Sequence, residues 1–241
     1  MAELSALREE LRRYDRVVVA FSGGADSSFL AWMAHDTLGA PRAAAVTAVS
    51  PSLPADELEA CRQLAGRWKW AWSTVATDEM ERAAYRTNGA DRCYHCKSAL
   101  LDALVPIAAG ATVALGVNVD DLSDHRPGQQ AARERGSAFP LVDAGFTKAD
   151  VRHWSRELGL STWDKPAAAC LASRVPYGTE VSVGVLSRVE RAEAALRQLG
   201  FRALRVRHYG DTARVEVPVD DLPRLLDLRA AVVAAVRGSG Y

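Results

Sequence analysis

No apolar run in the chain approaches the ~20 residues that a membrane-spanning helix needs, so no membrane partner is expected. Cysteine is scarce, at 4 of 241 residues. That is too few for a disulfide scaffold and makes a reducing cytoplasm the expected compartment. Met1 to Arg13 carries Glu3, Glu9 and Glu10 on an amphipathic helical pattern, unlike the acid-poor, apolar-centred leader of an exported protein. Net charge is lacking as well: 30 Lys and Arg balance 30 Asp and Glu, so nothing in the total points to a nucleic-acid partner. No internal repeat or low-complexity tract occurs apart from alanine-rich helical stretches. What is present is 49% hydrophobic and 25% charged, an ordinary globular composition that excludes disorder for most of the chain. The length suits a domain of roughly 150 residues with a smaller one, or a single large α/β domain, and can bury a core without covalent staples.

Short apolar runs alternate with helical patterns. Arg16 to Phe21 reads as a strand buried on both faces, followed by a helix that includes Ser27 to Ala34. Further strands are expected at Ala43–Val49, Ala71–Val75 and Thr112–Leu115, with helices at Ala55–Trp68, Ser98–Ala108 and after the cap Thr147-Lys148-Ala149-Asp150. This alternation predicts an α/β fold with a doubly wound parallel sheet. Beyond Leu160 the composition changes. Thr162 to Glu180 is rich in turn residues, and a helix (Val185–Leu199), a hairpin (Ala203–Arg207 and Ala213–Val217) and a last helix (Leu222–Val236) follow as a small α+β module. The expected division is 1–165 for the sheet domain, 166–183 for a loop and 184–241 for the module. Trp68, Trp70 and Trp72 fit either an aromatic interface patch or alternate core positions of a strand.

Ser22-Gly23-Gly24-Ala25-Asp26-Ser27-Ser28 lies between the first strand and its helix. There, main-chain N–H groups and a helix N-terminus can hold an anion together. The glycines permit positive φ and close approach of a phosphate. Ser22, Ser27 and Ser28 add hydroxyls, and Asp26 can position Mg²⁺. No Gly-Lys-[Ser/Thr] follows, so this is not a Walker A loop. A bare Ser-Gly-Gly would read as a capped turn; the complete run directly after a strand favours phosphate. It resembles the PP-loop of ATP pyrophosphatases, which implies an adenine nucleotide alpha hydrolase-like fold and cleavage of ATP between the α and β phosphates, with transfer of AMP to a carbonyl oxygen.

Lys165-Pro166-Ala167-Ala168-Ala169-Cys170-Leu171-Ala172-Ser173-Arg174-Val175-Pro176-Tyr177-Gly178 places a cysteine in a Pro- and Gly-bounded loop between two cations. Cations favour thiolate over thiol and so make a nucleophile; a buried structural cysteine is the plainer alternative. This loop, with Asp91-Arg92-Cys93-Tyr94-His95-Cys96-Lys97 and the stretch from Gly116 through Asn118, Asp120, Asp121, Asp124 and Arg126 to Gly128, is similar to LarE-type sacrificial sulfur transferases. The resemblance covers nearly the whole chain from Ser22.

That resemblance implies a concrete chemistry. A carboxylate of pyridinium-3,5-biscarboxylic acid mononucleotide is activated with ATP, a thiolate matched here by Cys170 displaces AMP, and Cβ–S cleavage leaves dehydroalanine and a thiocarboxylate for a nickel-pincer nucleotide. Adenylation needs a cation for the charge developing on the α-phosphate, for which Lys165 or Arg174 is placed. Asn118, Asp121 and Arg126 belong with the nucleotide. Asp26 with Asp120, Asp124, Glu193 or Asp220 is implied for metal, and Ser173, Arg205 and Arg207 for the substrate phosphate. Arg205 and Arg207 lie two apart on a strand and share a face, although a solvated strand face has the same pattern. ATP and Mg²⁺ are the implied cofactors, the partner is the small pyridinium nucleotide, and a homo-oligomer is expected.

Cys93-x-x-Cys96 could be half a zinc site, with no second such pair in the chain, or a redox or persulfide pair. No extra cysteine follows Cys170, so the sacrificial version is expected over an iron–sulfur cluster. The alternatives are another PP-loop enzyme, thiolating tRNA or forming an amide with ammonia, and a nucleotide-binding protein without catalysis.

Overall fold

The computed structural model describes residues 1–122, 127–166 and 169–241. In chain order the first elements are α1 (Leu4–Arg12), β1 (Val17–Ala20), α2 (Ala25–Leu38), β2 (Ala43–Val49), α3 (Ala55–Trp68), β3 (Trp72–Ala76), α4 (Ala83–Arg86), α5 (Arg92–Ala108) and β4 (Thr112–Leu115). Then come α6 (Pro127–Glu134), α7 (Pro140–Asp143), α8 (Lys148–Glu157), α9 (Val183–Gln198), β5 (Arg205–Tyr209), β6 (Thr212–Glu216), α10 (Leu222–Asp227) and α11 (Arg229–Gly238). The chain forms two compact units: Met1–Ser50, Ala55–Glu79 and Cys93–Ala168 make the first, and Pro51–Pro54, Met80–Arg92 and Ala169–Tyr241 the second. Among the described residues no helix is long and apolar enough to cross a membrane.

The first unit is an α/β layer structure around a parallel sheet of order β3-β2-β1-β4. Val17 lies opposite Ala43 and Thr112, and Ala20 opposite Val46 and Leu115. The period of two on β1 divides the core. Val17 and Val19 pack with Leu7, Leu11, Phe29 and Met33, while Val18 packs with Leu101, Leu104 and Phe139. Helices thus cover both faces, which is why β1 is apolar throughout. Thr147 caps α8 in a capping box: its hydroxyl accepts from the Asp150 N–H, and the Asp150 carboxylate accepts from the Thr147 N–H at 3.0 Å.

Several boundaries differ from expectation. α5 starts at Arg92, six residues before the expected Ser98, and carries Cys96 just beyond its first turn, which holds Cys93. No acidic residue stands in that turn to mark a helix start. The expected last helix is broken at Leu228 into α10 and α11. The three tryptophans are not alternate residues of one strand: Trp68 ends α3, Trp70 lies in the connection and Trp72 opens β3. Trp70 is buried, stacked on His35 and edge-on to Phe21, and the half-buried Trp68 and Trp72 pack against the same core.

The second unit packs α9, the antiparallel β5–β6 hairpin and α11 around Ala192, Leu196, Phe201, Val206 and Val232. Residues distant in sequence hold the cysteine loop. Buried Asn88, at φ 58°, donates from Nδ2 to the carbonyls of Pro176 and Thr179, both at 2.8 Å. Arg92 donates to Asn88 Oδ1 at 2.6 Å and to the Ala172 carbonyl at 2.8 Å.

Candidate active site

The strand order reverses between β1 and β4, each leading into a loop at the same end of the sheet. Ligands of open α/β sheets bind in the crevice at such a switch point. The β1 loop turns through Gly23 at φ +71°, with Gly24 as N-cap of α2. Ser27 Oγ closes the turn, receiving the Ser22 N–H at 3.2 Å and donating to the Gly24 carbonyl at 3.2 Å. The Ser28 hydroxyl is buried without a hydrogen-bond partner among the described residues, the kind of orphaned donor that a phosphate oxygen would satisfy. From β4, Gly116 passes so close beneath that a Cβ on it would stand 2.7 Å from the Ser27 nitrogen.

Asp26 joins the two loops. Asn118 Nδ2 donates to its Oδ1 at 3.2 Å, and Lys148 Nζ to its Oδ2 at 2.5 Å. Asp121 instead closes a local turn, accepting the Asn118 N–H at 3.2 Å, and Asp120 accepts the Lys148 N–H at 2.8 Å. Asp124 and Arg126 lie outside the described residues.

Lys165 reaches the phosphate loop from a distant segment, donating to the Gly23 carbonyl at 3.1 Å and to Glu57 Oε2 at 2.6 Å. Cys61 sits under the same glycine, where a Cβ would meet its sulfur at 2.7 Å. Burial pushes the Cys61 thiol up from its ordinary value, against a hydrogen bond with Thr47 and the charge of Lys165, and it fills space as a neutral thiol. A cavity of about 360 Å³ beside the loop is lined by Gly23, Gln63, Arg67, Thr162 and Lys165, among others. Glu57 and Cys61 carry no motif that marks them in the sequence, and Lys148 enters it only through the helix cap Thr147-Lys148-Ala149-Asp150; the fold brings all three to the loop.

In the second unit, Cys170 is half-buried and opens a single helical turn, Leu171–Arg174. Arg174 departs from its expected role as a cation for phosphate charge. Its guanidinium is committed to the carbonyls of Ala169 (2.7 Å) and Cys170 (3.2 Å) and to the buried Glu193, at 2.8 and 3.2 Å. Glu193 also accepts from Arg197 at 3.2 Å and from the Val206 N–H at 3.1 Å, so donors surround the carboxylate expected for metal. Arg205 and Arg207 flank buried Val206 on one face of β5. Arg207 donates to the Ser173 carbonyl and to Glu216, both at 2.9 Å. Ser173 Oγ accepts from Arg174 at 3.0 Å, and Asp220 is exposed in the turn before α10. Among the described residues no three His, Cys, Asp or Glu side chains cluster to hold a metal ion.

A serine- and glycine-built anion loop at the switch point of a parallel sheet defines a PP-loop nucleotide-binding domain. The NAD synthase family model matches residues 4–97. The uncharacterized protein slr1717 of Synechocystis sp. is 46% identical over 228 residues, covering 93% of this chain and 85% of that protein. The pyridinium-3,5-bisthiocarboxylic acid mononucleotide synthase of Lactiplantibacillus plantarum is 37% identical over 211 residues, covering 86% and 76%. The uncharacterized protein MJ0830 of Methanocaldococcus jannaschii is 25% identical over 238 residues, covering 98% and 90%. The chain belongs to the LarE-type PP-loop sulfur transferase family.

Proposed function

We propose that this protein is an ATP-dependent, AMP-forming sulfurtransferase whose substrate is pyridinium-3,5-biscarboxylic acid mononucleotide and whose sulfur comes from its own Cys170. The observation that carries the reading is the state of the cysteine loop. Its backbone is held by Arg174 on the carbonyls of Ala169 and Cys170 and by the Ser52 carbonyl on the Leu171 N–H (2.9 Å). The half-buried Cys170 thiol itself makes no hydrogen bond among the described residues. A loop fixed in its main chain with one uncommitted soft nucleophile suits attack on an activated acyl group.

The chemistry proceeds in three steps. A substrate carboxylate oxygen attacks the α-phosphorus of ATP and pyrophosphate leaves. The phosphate loop and Lys165 stabilise the charge that develops, Lys165 because it already meets the loop at Gly23. The Cys170 thiolate then adds to the acyl carbon and AMP leaves, giving a thioester. Finally a base removes the Cα proton of residue 170 and the Cβ–S bond breaks; its electron pair stays on sulfur as the thiocarboxylate, and dehydroalanine remains in the chain.

Asp26 fits Mg²⁺, which keeps most of its waters and takes one or two carboxylates with substrate phosphates; its carboxylate already bears one cation, the Lys148 ammonium. When bound, Mg²⁺ neutralises phosphate charge. In the second unit, Arg205 with Arg207 and Ser173 is the group proposed for the substrate's own phosphate.

Pyrophosphate release tests the reading. It is expected from ATP and Mg²⁺ only when the pyridinium dicarboxylate nucleotide is added. Release that ignores this nucleotide but follows added tRNA, or ammonia with another carboxylate, would contradict it.

A further inference from the structure

Cys93 and Cys96 take no part in the chemistry above, yet their placement is specific. They lie three residues apart near the start of α5, as its second and fifth residues. Helix geometry then sets their Cα atoms about 5 Å apart on one face, inside the ~4.4–6.8 Å range that a disulfide bridges. Cys93 is exposed and Cys96 half-buried, and both are thiols. That order gives one sulfur open to an incoming reagent and a second behind it to resolve the product.

Lys97 follows directly. Its side chain is partly buried; burial depresses its ammonium, and the ionisable groups acting back on it are Cys96 and Cys93. On α5, Lys97 stands four residues after Cys93, the helical spacing that puts two side chains on one face, and a cation beside a sulfur stabilises the thiolate. The turn is also braced: a Cβ on Gly128 would stand 3.2 Å from the Cys93 carbonyl and 3.6 Å from Lys97 Cβ. A metal site is the weaker reading, because the described residues bring no third ligand of the His, Cys, Asp or Glu type to the pair.

We propose that Cys93 and Cys96 form a redox-active dithiol whose co-substrate is a low-molecular-weight disulfide, with Lys97 as the cation of the attacking thiolate. The Cys93 thiolate attacks one sulfur of R–S–S–R, forming a mixed disulfide and expelling one RS⁻. Deprotonated Cys96 then attacks the Cys93 sulfur and expels the second RS⁻. The protein pair is oxidised by two electrons, the small disulfide is reduced to two thiols, and the protons released by the two cysteines balance the two thiolates. This exchange does not depend on the ATP-driven reaction.

The full-length protein, equilibrated in buffers of increasing oxidised-to-reduced glutathione ratio, acid-quenched, alkylated and cut with trypsin, tests the proposal. Cleavage after Arg92 and Lys97 isolates residues 93–97 with both sulfurs. This peptide should pass from doubly alkylated to an internal disulfide, two hydrogens lighter than the dithiol, while buried Cys61 remains alkylated. Glutathione adducts alone, or two alkylated thiols in the most oxidising buffer, would overturn it. Cys96→Ser should trap glutathione on Cys93, and Cys93→Ser should react at Cys96 at least about tenfold more slowly; equal rates contradict the assigned order. In the Cys96→Ser background, Lys97→Met should slow trapping at pH 7 roughly tenfold and Lys97→Arg should keep most of the rate. No slowing by Lys97→Met would remove the lysine from the proposal.

Discussion

Lys165 Nζ stands 2.6 Å from Glu57 Oε2 and 3.1 Å from the Gly23 carbonyl, so a carboxylate of α3 holds an ammonium against the phosphate loop. Both side chains are about one-fifth exposed, at 22% and 21%, so solvent weakens the pair without abolishing it. On the proposed mechanism Glu57 is a positioning residue, aiming Lys165 at the loop and competing with an incoming phosphate for it. Lys165→Met should lower the rate of pyrophosphate release by about 10²–10³-fold. Glu57→Gln should lower kcat about tenfold without raising KM for ATP, because the competing charge is gone while the aim is lost. A Glu57→Gln enzyme with unchanged kcat would contradict this.

Gly116 is required by space rather than by backbone angle. A methyl group there would stand 2.7 Å from the Ser27 nitrogen and 2.9 Å from the Asp26 carbonyl carbon, both main-chain atoms that cannot swing aside. Gly116→Ala should destabilise the protein by about 1–3 kcal/mol, as overpacking does, and raise KM for ATP several-fold by displacing the loop. Urea titration and ATP saturation curves check the two effects separately.

Arg174 and Glu193 form a buried ion pair, with 7% and 1% of their side chains exposed. Removing one partner leaves a buried charge uncompensated, so Arg174→Ala should cost about 3–5 kcal/mol in a denaturant titration. Arg174→Met combined with Glu193→Leu should be far milder than the sum of the singles. Additive losses would show that the pair does not act as a unit.

His35 links stability to pH. Nε2 accepts the Ala71 N–H at 3.1 Å while Nδ1 lies 3.0 Å from the Ala31 carbonyl, so the folded state holds the neutral ring. Burial lowers its pKa below the ordinary 6.5, partly opposed by the Ala31 hydrogen bond. The unfolded chain therefore binds this proton more readily, and the stabilisation present above about pH 6.5 is lost as pH falls through the folded value. The urea midpoint should fall between pH 7.5 and 5.5 by more in the wild type than in His35→Gln. Equal falls would contradict the linkage.

Much of this was legible in residue order. The apolar run before Ser22 and the paired glycines fixed β1 and its loop, and Thr147 with Asp150 announced α8 through local capping chemistry. Strand spacing gave a parallel sheet. What was not legible depends on partners far along the chain. Nothing near Glu57 or Lys148 marks them as neighbours of the loop, because they arrive through β2–α3 and the start of α8. The flanking charge of Arg174 reads as an available cation until Glu193, on α9, is brought against it. The early start of α5 escaped for a local reason: Arg92 to Lys97 lacks the acidic first turn that announces a helix. Trp68, Trp70 and Trp72 alternate as strand residues do, yet the end of α3 and the start of β3 fall between them, which the spacing alone does not mark.

The decisive measurement is the mass of the tryptic peptide containing Cys170 before and after one turnover with ATP, Mg²⁺ and the pyridinium dicarboxylate nucleotide. Loss of one H₂S from that peptide is expected, matched by one thiocarboxylate per chain and abolished by Cys170→Ala, which should still release pyrophosphate. An intact cysteine alongside thiocarboxylate product would contradict it.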